Sequence, residues 1–137
     1  MGLKKYRLKV QRTTRGLGLF TLQAIPTGKR IIEYKGHVIT GEEVKTKGGR
    51  YLFEIDKNHA IDGSSRRNLA RYINHSCEPN AEAYISVRRI WIWSRKALEA
   101  GEEITIDYGK EYVEEFIKPE GCKCEPCVTQ QQERDAR

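Results

Sequence analysis

The sequence predicts a mainly β domain built of several small sheets. Three features point there. Apolar residues recur at period two in short runs. Turn residues interrupt those runs roughly every eight to twelve positions. Only short segments carry a helical pattern. A chain of 137 residues fits one domain with a core of its own. Aromatic and aliphatic residues are spread along it, which separates it from disordered sequences. No internal repeat or linker divides it.

The elements follow in order. Tyr6 to Val10 alternates as a first strand. Arg15-Gly16-Leu17-Gly18-Leu19-Phe20 is a glycine-punctuated loop entering a second strand, with Phe20, Leu22 and Ala24 on one face. Pro26-Thr27-Gly28 is a turn. Arg30 to Tyr34 is a strand closed by Gly36, and His37 to Thr40 continues it. Gly41 to Lys47 is a short helix ended by Gly48-Gly49. Tyr51 to Asp56 alternates as a strand, turns at Lys57-Asn58 and resumes over Ala60 to Asp62. Leu69 to Ile73 is one helical turn. Ala83 to Ser94 is the strongest β stretch, ending in Ile90, Trp91, Ile92 and Trp93. Ala100-Gly101 marks a turn before a strand from Ile104 to Tyr108. Glu111 to Ile117 is a short helix ended by Pro119 and Gly121. Residues 129–137 are polar without apolar anchors, and fraying is expected there.

The net charge of +6 is unevenly placed. Lys4, Lys5, Arg7, Lys9, Arg12, Arg15, Lys29 and Arg30 fall in the first thirty residues, which hold no acid. A basic segment attracts nucleic acid or an acidic partner. Without a nucleic-acid motif beside it, a solvated strand face is the favoured reading. Glu111, Glu114 and Glu115 either favour a basic substrate peptide or solubilise a helix. No stretch is long and apolar enough to span a membrane. The start has no signal-peptide core, and Tyr6 stands where a myristoylation signal needs Ser or Thr. A soluble intracellular protein is expected.

The four cysteines are Cys77, Cys122, Cys124 and Cys127. In an intracellular chain, the tight Cys-Lys-Cys-Glu-Pro-Cys cluster favours zinc over disulfides. Structural zinc takes four ligands, with Zn–S near ~2.3 Å. The cluster supplies three, and Cys77 is the remaining cysteine. Two disulfides or metal-free thiols are the alternatives.

Two runs carry the functional signal: Arg71-Tyr72-Ile73-Asn74-His75-Ser76-Cys77-Glu78-Pro79-Asn80, and Gly101-Glu102-Glu103-Ile104-Thr105-Ile106-Asp107-Tyr108-Gly109. In this order they resemble the two core motifs of the SET-domain family of protein-lysine methyltransferases. The resemblance runs from about Tyr6 to Cys127. It includes Gly16-Leu17-Gly18, the Tyr34-Lys35-Gly36 step and the cysteine-rich tail. It implies small β-sheets of the β-clip type around a pseudoknot, with Asn74 to Cys77 crossing a loop closed near Tyr108. It divides the chain into a SET domain at 6–117, a zinc-binding post-SET segment at 118–128 and the polar tail at 129–137.

The resemblance also implies roles. Gly16, Leu17 and Gly18 would meet the methionine part of S-adenosylmethionine through main-chain groups. Tyr34, Asn74, His75 and Tyr108 would complete that site, the histidine acting partly through its backbone near the adenine. Tyr108 would be the catalytic residue, and Tyr51 resembles the second pocket tyrosine. A strand tyrosine is otherwise simply packed. Ile106 falls where many members carry Phe or Tyr, which implies room for more than one methyl. Tyr84 either enters that pocket and reverses the preference or faces outward from its sheet.

Cys77 sits where the family supplies the fourth zinc ligand, although two residues separate Cys124 from Cys127 where four are common. The zinc would be structural, fixing the tail against the site. Tyr112, Phe116 or Val128 would cover the adenine. His37 and His59 read as surface residues. Trp91 and Trp93 have the look of a methyl-lysine cage, but sheet packing is the favoured reading.

The substrate would be a lysine-containing protein, with a histone tail the most familiar. The protein would be cytoplasmic if bacterial and nuclear if the substrate is a eukaryotic histone. The chain opens at a methionine without a pre-SET cluster or chromatin-reading module, and reads as nearly minimal. A degenerate SET domain serving as an interaction module is the alternative. The filled positions Gly16, Gly18, Tyr51, Asn74, His75 and Tyr108 favour the enzyme.

Overall fold

The computed structural model describes residues 5–47, 51–109 and Cys127. In order, the elements are β1 (Leu8–Thr13), β2 (Gly16–Thr21), β3 (Arg30–Tyr34), β4 (His37–Thr40), α1 (Gly41–Lys47), β5 (Leu52–Asp56) and β6 (His59–Asp62). A 3-10 turn (Leu69–Tyr72) leads to β7 (Asn74–His75), β8 (Ala81–Ser86), β9 (Arg89–Ser94) and β10 (Thr105–Ile106). They form four small sheets: β1-β2, β4-β6-β5 and β3-β9-β8, all antiparallel, and the parallel pair β7-β10. The mainly β expectation is met. The expected helix from Glu111 to Ile117, the post-SET segment apart from Cys127, and the tail lie outside the described residues.

The central sheet shows how alternation builds the core. Ile90 and Ile92 on β9 are fully buried, while Trp91 and Trp93 face the other way and are half-buried. Burying an isoleucine stabilises by about 1.5–3 kcal/mol, so this face contributes strongly. Leu19, Ile25, Leu98 and Ile104 join the same core. On the outer face the Arg30 guanidinium lies 4.3 Å from the Trp91 ring and 5.3 Å from the Trp93 ring. Arg89 stacks on Trp91 at 4.9 Å and makes a bidentate pair with Glu33, whose carboxyl it holds below the usual range. The cation that a cage would hold is supplied by the protein's own arginines.

Several sequence expectations are corrected. Gly16-Leu17-Gly18 lies inside β2, paired with β1, and the turn falls at Thr14-Arg15. The buried face of this segment carries Leu19 and Thr21, not Leu22, which is exposed. Thr21 can go inward because its polar groups are met. Its N–H donates to the Glu102 carbonyl, its carbonyl accepts from Gly101 N–H, and its hydroxyl donates to the Gln23 carbonyl. Strands β3 and β4 belong to different sheets rather than continuing one another. Asn68 organises that crossing from a buried position, accepting from Lys35 N–H (3.0 Å) and donating to the Gly63 carbonyl (3.1 Å). The strand expected from Ile104 to Tyr108 narrows to Thr105–Ile106. At the start of α1, the Glu43 carboxylate accepts from both the N–H and the hydroxyl of Thr40, the carboxylate half of a capping box.

The stretch from Ala83 to Ser94 is a hairpin, β8-β9, turning at Val87-Arg88. Both turn residues sit at positive φ, +48° and +59°. Such a two-residue turn favours Asn-Gly, and a β-branched residue at positive φ is strained. Val87 is 91% exposed, so no packing offsets this. Replacing Val87→Asn together with Arg88→Gly is expected to stabilise the fold by about 1–2 kcal/mol. Chemical denaturation checks it, as a raised midpoint with unchanged slope.

Candidate active site

The two motif runs meet at the parallel pairing of β7 with β10, where Asn74 faces Thr105 and His75 faces Ile106. Ser76 N–H extends the ladder to the Ile106 carbonyl at 2.9 Å. Asn80 acts as a side-chain strand. Its amide donates to the Glu103 carbonyl (2.8 Å) and its oxygen accepts from Thr105 N–H (2.9 Å). Tyr108 closes the other end, its N–H donating to His75 Nδ1 (3.0 Å) and its hydroxyl to the Ile73 carbonyl. The segments that the motifs occupy are thus held side by side, although about thirty residues separate them.

Glu103 joins the glycine segment to this junction. One carboxylate oxygen accepts from Arg15 Nη2 (2.7 Å) and the other from Asn74 Nδ2 (2.7 Å). Arg15 also donates to the His75 carbonyl (3.1 Å), and Asn74 Nδ2 also donates to the Leu17 carbonyl (3.0 Å). Both charged side chains of the Arg15–Glu103 pair are only 17% exposed. A Cβ at Gly18 would lie 2.5 Å from a Glu103 oxygen, so a larger residue there would push that carboxylate from its present place. Gly16 sits at φ +102°, a region that favours glycine. With the Asn74 nitrogen committed to two acceptors, its Oδ1 is left to accept from a ligand.

His75 is buried. Burial holds its imidazole below the usual range; Asp107 pulls the other way and Arg15 adds to the lowering. Because Nδ1 accepts from a backbone N–H, the neutral ring carries its proton on Nε2. His37 is exposed, and His59 pairs with Asp56 at 2.8 Å, away from this cluster in the β5-β6 hairpin.

Tyr108 and Tyr51, the two tyrosines expected to line a pocket, both meet the stretch from Arg71 to Ile73. Tyr108 donates to the Ile73 carbonyl, and the Arg71 guanidinium stacks on the Tyr51 ring at 4.2 Å. The Tyr51 carbonyl accepts from the Tyr34 hydroxyl (2.7 Å) and from Gly63 N–H (2.9 Å). Tyr34 is buried, so what its hydroxyl does here is support Tyr51. Ile106 is buried beside His75. Tyr84 takes the outward-facing position. It is 52% exposed, its hydroxyl donates to Glu82, and its ring meets Trp93 edge-on. Its strand parity forces this, since its neighbour Ala83 pairs with the buried Ile92. The pocket-size reading therefore rests on Ile106.

Of the cysteines, the Sγ atoms of Cys77 and Cys127 lie 3.5 Å apart, and Cys77 Sγ is 3.5 Å from His75 Nε2. Cys122, Cys124, Tyr112, Phe116 and Val128 lie outside the described residues. Among the described residues, no group of three or more His, Cys, Asp or Glu side chains is set to hold a metal.

Roles for Arg15, Glu103 and Arg71 were missed in the sequence. All three sit in or beside the motifs, but pairing Arg15 with Glu103 across 88 positions leaves no local signal.

The fold and this junction define a SET domain. The family model described as "SET domain" matches residues 16–109, well over half of the chain, and the chain belongs to that family. It is 40% identical over 121 residues to histone-lysine N-methyltransferase set-2 of Caenorhabditis elegans, covering 76% of this chain and 8% of that protein. It is 35% identical over 124 residues to histone-lysine N-methyltransferase SUV39H2 of Gallus gallus, covering 76% of this chain and 30% of that protein. Against histone-lysine N-methyltransferase Set2 of Drosophila melanogaster it is 37% identical over 133 residues, covering 85% of this chain and 6% of that protein. The chain thus spans under a third of the length of each of these relatives.

Glu103→Ala would leave Arg15 and the Asn74 amide without their shared acceptor. A loss of about 2–4 kcal/mol in stability is expected, against less than about 0.5 kcal/mol for the exposed neighbour Glu102→Ala. Urea denaturation of the two variants checks this. Equal effects would remove Glu103 from the centre of the site.

Proposed function

We propose that this chain transfers methyl groups from S-adenosylmethionine to the ε-amine of a histone lysine. The observation that carries the reading is the single constellation formed by Gly16, Leu17, Gly18, Asn74, His75 and Tyr108, positions read from the sequence as cofactor-binding. The names of the relatives support the histone as substrate and, with it, a nuclear setting. Among the described residues no helix is long and apolar enough to cross a membrane.

Bound S-adenosylmethionine supplies an electrophilic methyl on a positive sulfonium. The glycine segment offers backbone groups at close range, and Asn74 Oδ1 offers an acceptor for an ammonium group. Its amide cannot turn, because Leu17 and Glu103 hold its nitrogen. Attack needs a neutral lysine amine with its lone pair aimed at the methyl. The Tyr108 hydroxyl donates to the Ile73 carbonyl, and a phenol oxygen in that orientation can also accept from an amine N–H and aim the opposite lone pair. A positive charge nearby disfavours the protonated amine, lowering its pKa in the needed direction. Tyr51, held by Tyr34 and Arg71, forms the second wall. The buried Ile106 carries no hydroxyl to tether a partly methylated amine, which favours more than one methyl.

The donor chemistry at the cysteines fits structural zinc. The 3.5 Å between Cys77 and Cys127 is far beyond a disulfide bond and near the ~3.8 Å edge of a tetrahedron with Zn–S of ~2.3 Å. We assign Cys77, Cys122, Cys124 and Cys127 as its ligands. When bound, the zinc joins the chain beyond residue 109 to the site.

The test is transfer from radiolabelled S-adenosylmethionine to purified core histones. Wild type should label histone lysines, and Tyr108→Phe should lower kcat by about a hundredfold or more. Absence of transfer by folded, zinc-loaded wild type, or an equally active Tyr108→Phe, would defeat the proposal.

A further inference from the structure

We infer that the His75 imidazole is a two-ended bridge tying the Cys77 sulfur to the backbone of Tyr108. The state of the cysteine cluster would then be felt directly at the reacting tyrosine. The inference rests on the metal-centre reading above and adds a positioning residue to it. A backbone amide can only donate, so Nδ1, which takes the Tyr108 N–H at 3.0 Å, is the acceptor end. Nε2 is then the donor end, and it lies 3.5 Å from Cys77 Sγ, within the longer reach of sulfur.

The ring cannot drift between these partners. It is 7% exposed, its strand is paired to Ile106, and its carbonyl is gripped by Arg15. The Tyr108 ring packs against it with centroids 5.4 Å apart. A thiolate accepts a hydrogen bond more strongly than a thiol. Ligated Cys77 therefore holds the donor end firmly, and the same ring presents a fixed acceptor to Tyr108. Loss of the metal weakens the donor contact and with it the restraint on the ring's tilt toward the Tyr108 amide.

Two conservative variants separate the ends. In His75→Asn the side-chain oxygen falls near the Nδ1 position and the donor toward sulfur is lost. In His75→Gln the amide reaches toward Cys77 and the acceptor for Tyr108 is lost. On the full zinc-loaded chain, zinc release to a chromophoric chelator should quicken about tenfold or more for His75→Asn and stay within about twofold of wild type for His75→Gln. Amide exchange at Tyr108, followed by NMR, should quicken in His75→Gln and remain slow in His75→Asn. Should the variants fold poorly, wild type loaded with 113Cd provides the readout. The His75 Nε2–H should show scalar coupling to the metal through the Cys77 sulfur. Absence of that coupling, or indistinguishable zinc release and exchange in the two variants, overturns the bridge alone. Wild type that retains no equivalent of zinc overturns the metal-centre reading and the bridge with it.

Discussion

The site depends on one short contact, the parallel pairing of Asn74-His75 with Thr105-Ile106. Two residues of parallel ladder are far too little to stand alone. Side chains make up the difference. Asn80 completes the ladder from one side, and His75 and Tyr108 bond each other from the other. Because the pairing is parallel, its two strands need a long connection, and the β8-β9 hairpin lies within it. The hairpin's buried isoleucines anchor that connection in the core, so the residues of the candidate site sit on a rigid base.

Electrostatics converts this base into a specific geometry. The Arg15–Glu103 pair is largely withdrawn from water, where desolvation can offset the attraction. Its structural effect is orientation. Glu103 meets Arg15 and Asn74, Arg15 meets the His75 carbonyl, and Asn74 reaches across to the Leu17 carbonyl of β2. Four positions of the candidate site are thereby fixed relative to one another by charge-assisted hydrogen bonds, which are shorter and stronger than neutral ones. A second chain of support runs from Tyr34 to Tyr51 and from Arg71 to the same ring.

Much of the fold was legible because period-two patterning and turn residues are local signals. The short helix at Gly41–Lys47 and the strands β3, β4 and β6 fall where the pattern indicated. The errors have a common cause. Leu22 outranks Thr21 on hydropathy, yet Thr21 is buried because its hydrogen bonds are supplied by residues 101 and 102, distant in sequence. Val87-Arg88 makes a tight turn with neither glycine nor asparagine, so nothing local announced the hairpin. At the site, the motifs pointed to Asn74, His75 and Tyr108, which the structure brings together, while Arg15 and Glu103, which hold His75 and Asn74, and Arg71, which stacks on Tyr51, emerged only from tertiary contact. The motif of Tyr34 was legible, but its hydroxyl turns to the Tyr51 carbonyl.

On the function proposed above, the β2–β7–β10 junction is a preorganised cofactor site whose acceptor is Asn74 Oδ1. Calorimetric titration of the zinc-loaded chain with S-adenosylmethionine, beside Asn74→Ala, tests it most directly. Wild type is expected to bind saturably and one-to-one, with affinity lowered about tenfold or more in the variant. Folded wild type that takes up no cofactor, or a variant that binds it equally well, would rule out Asn74 Oδ1 as the acceptor of a cofactor site.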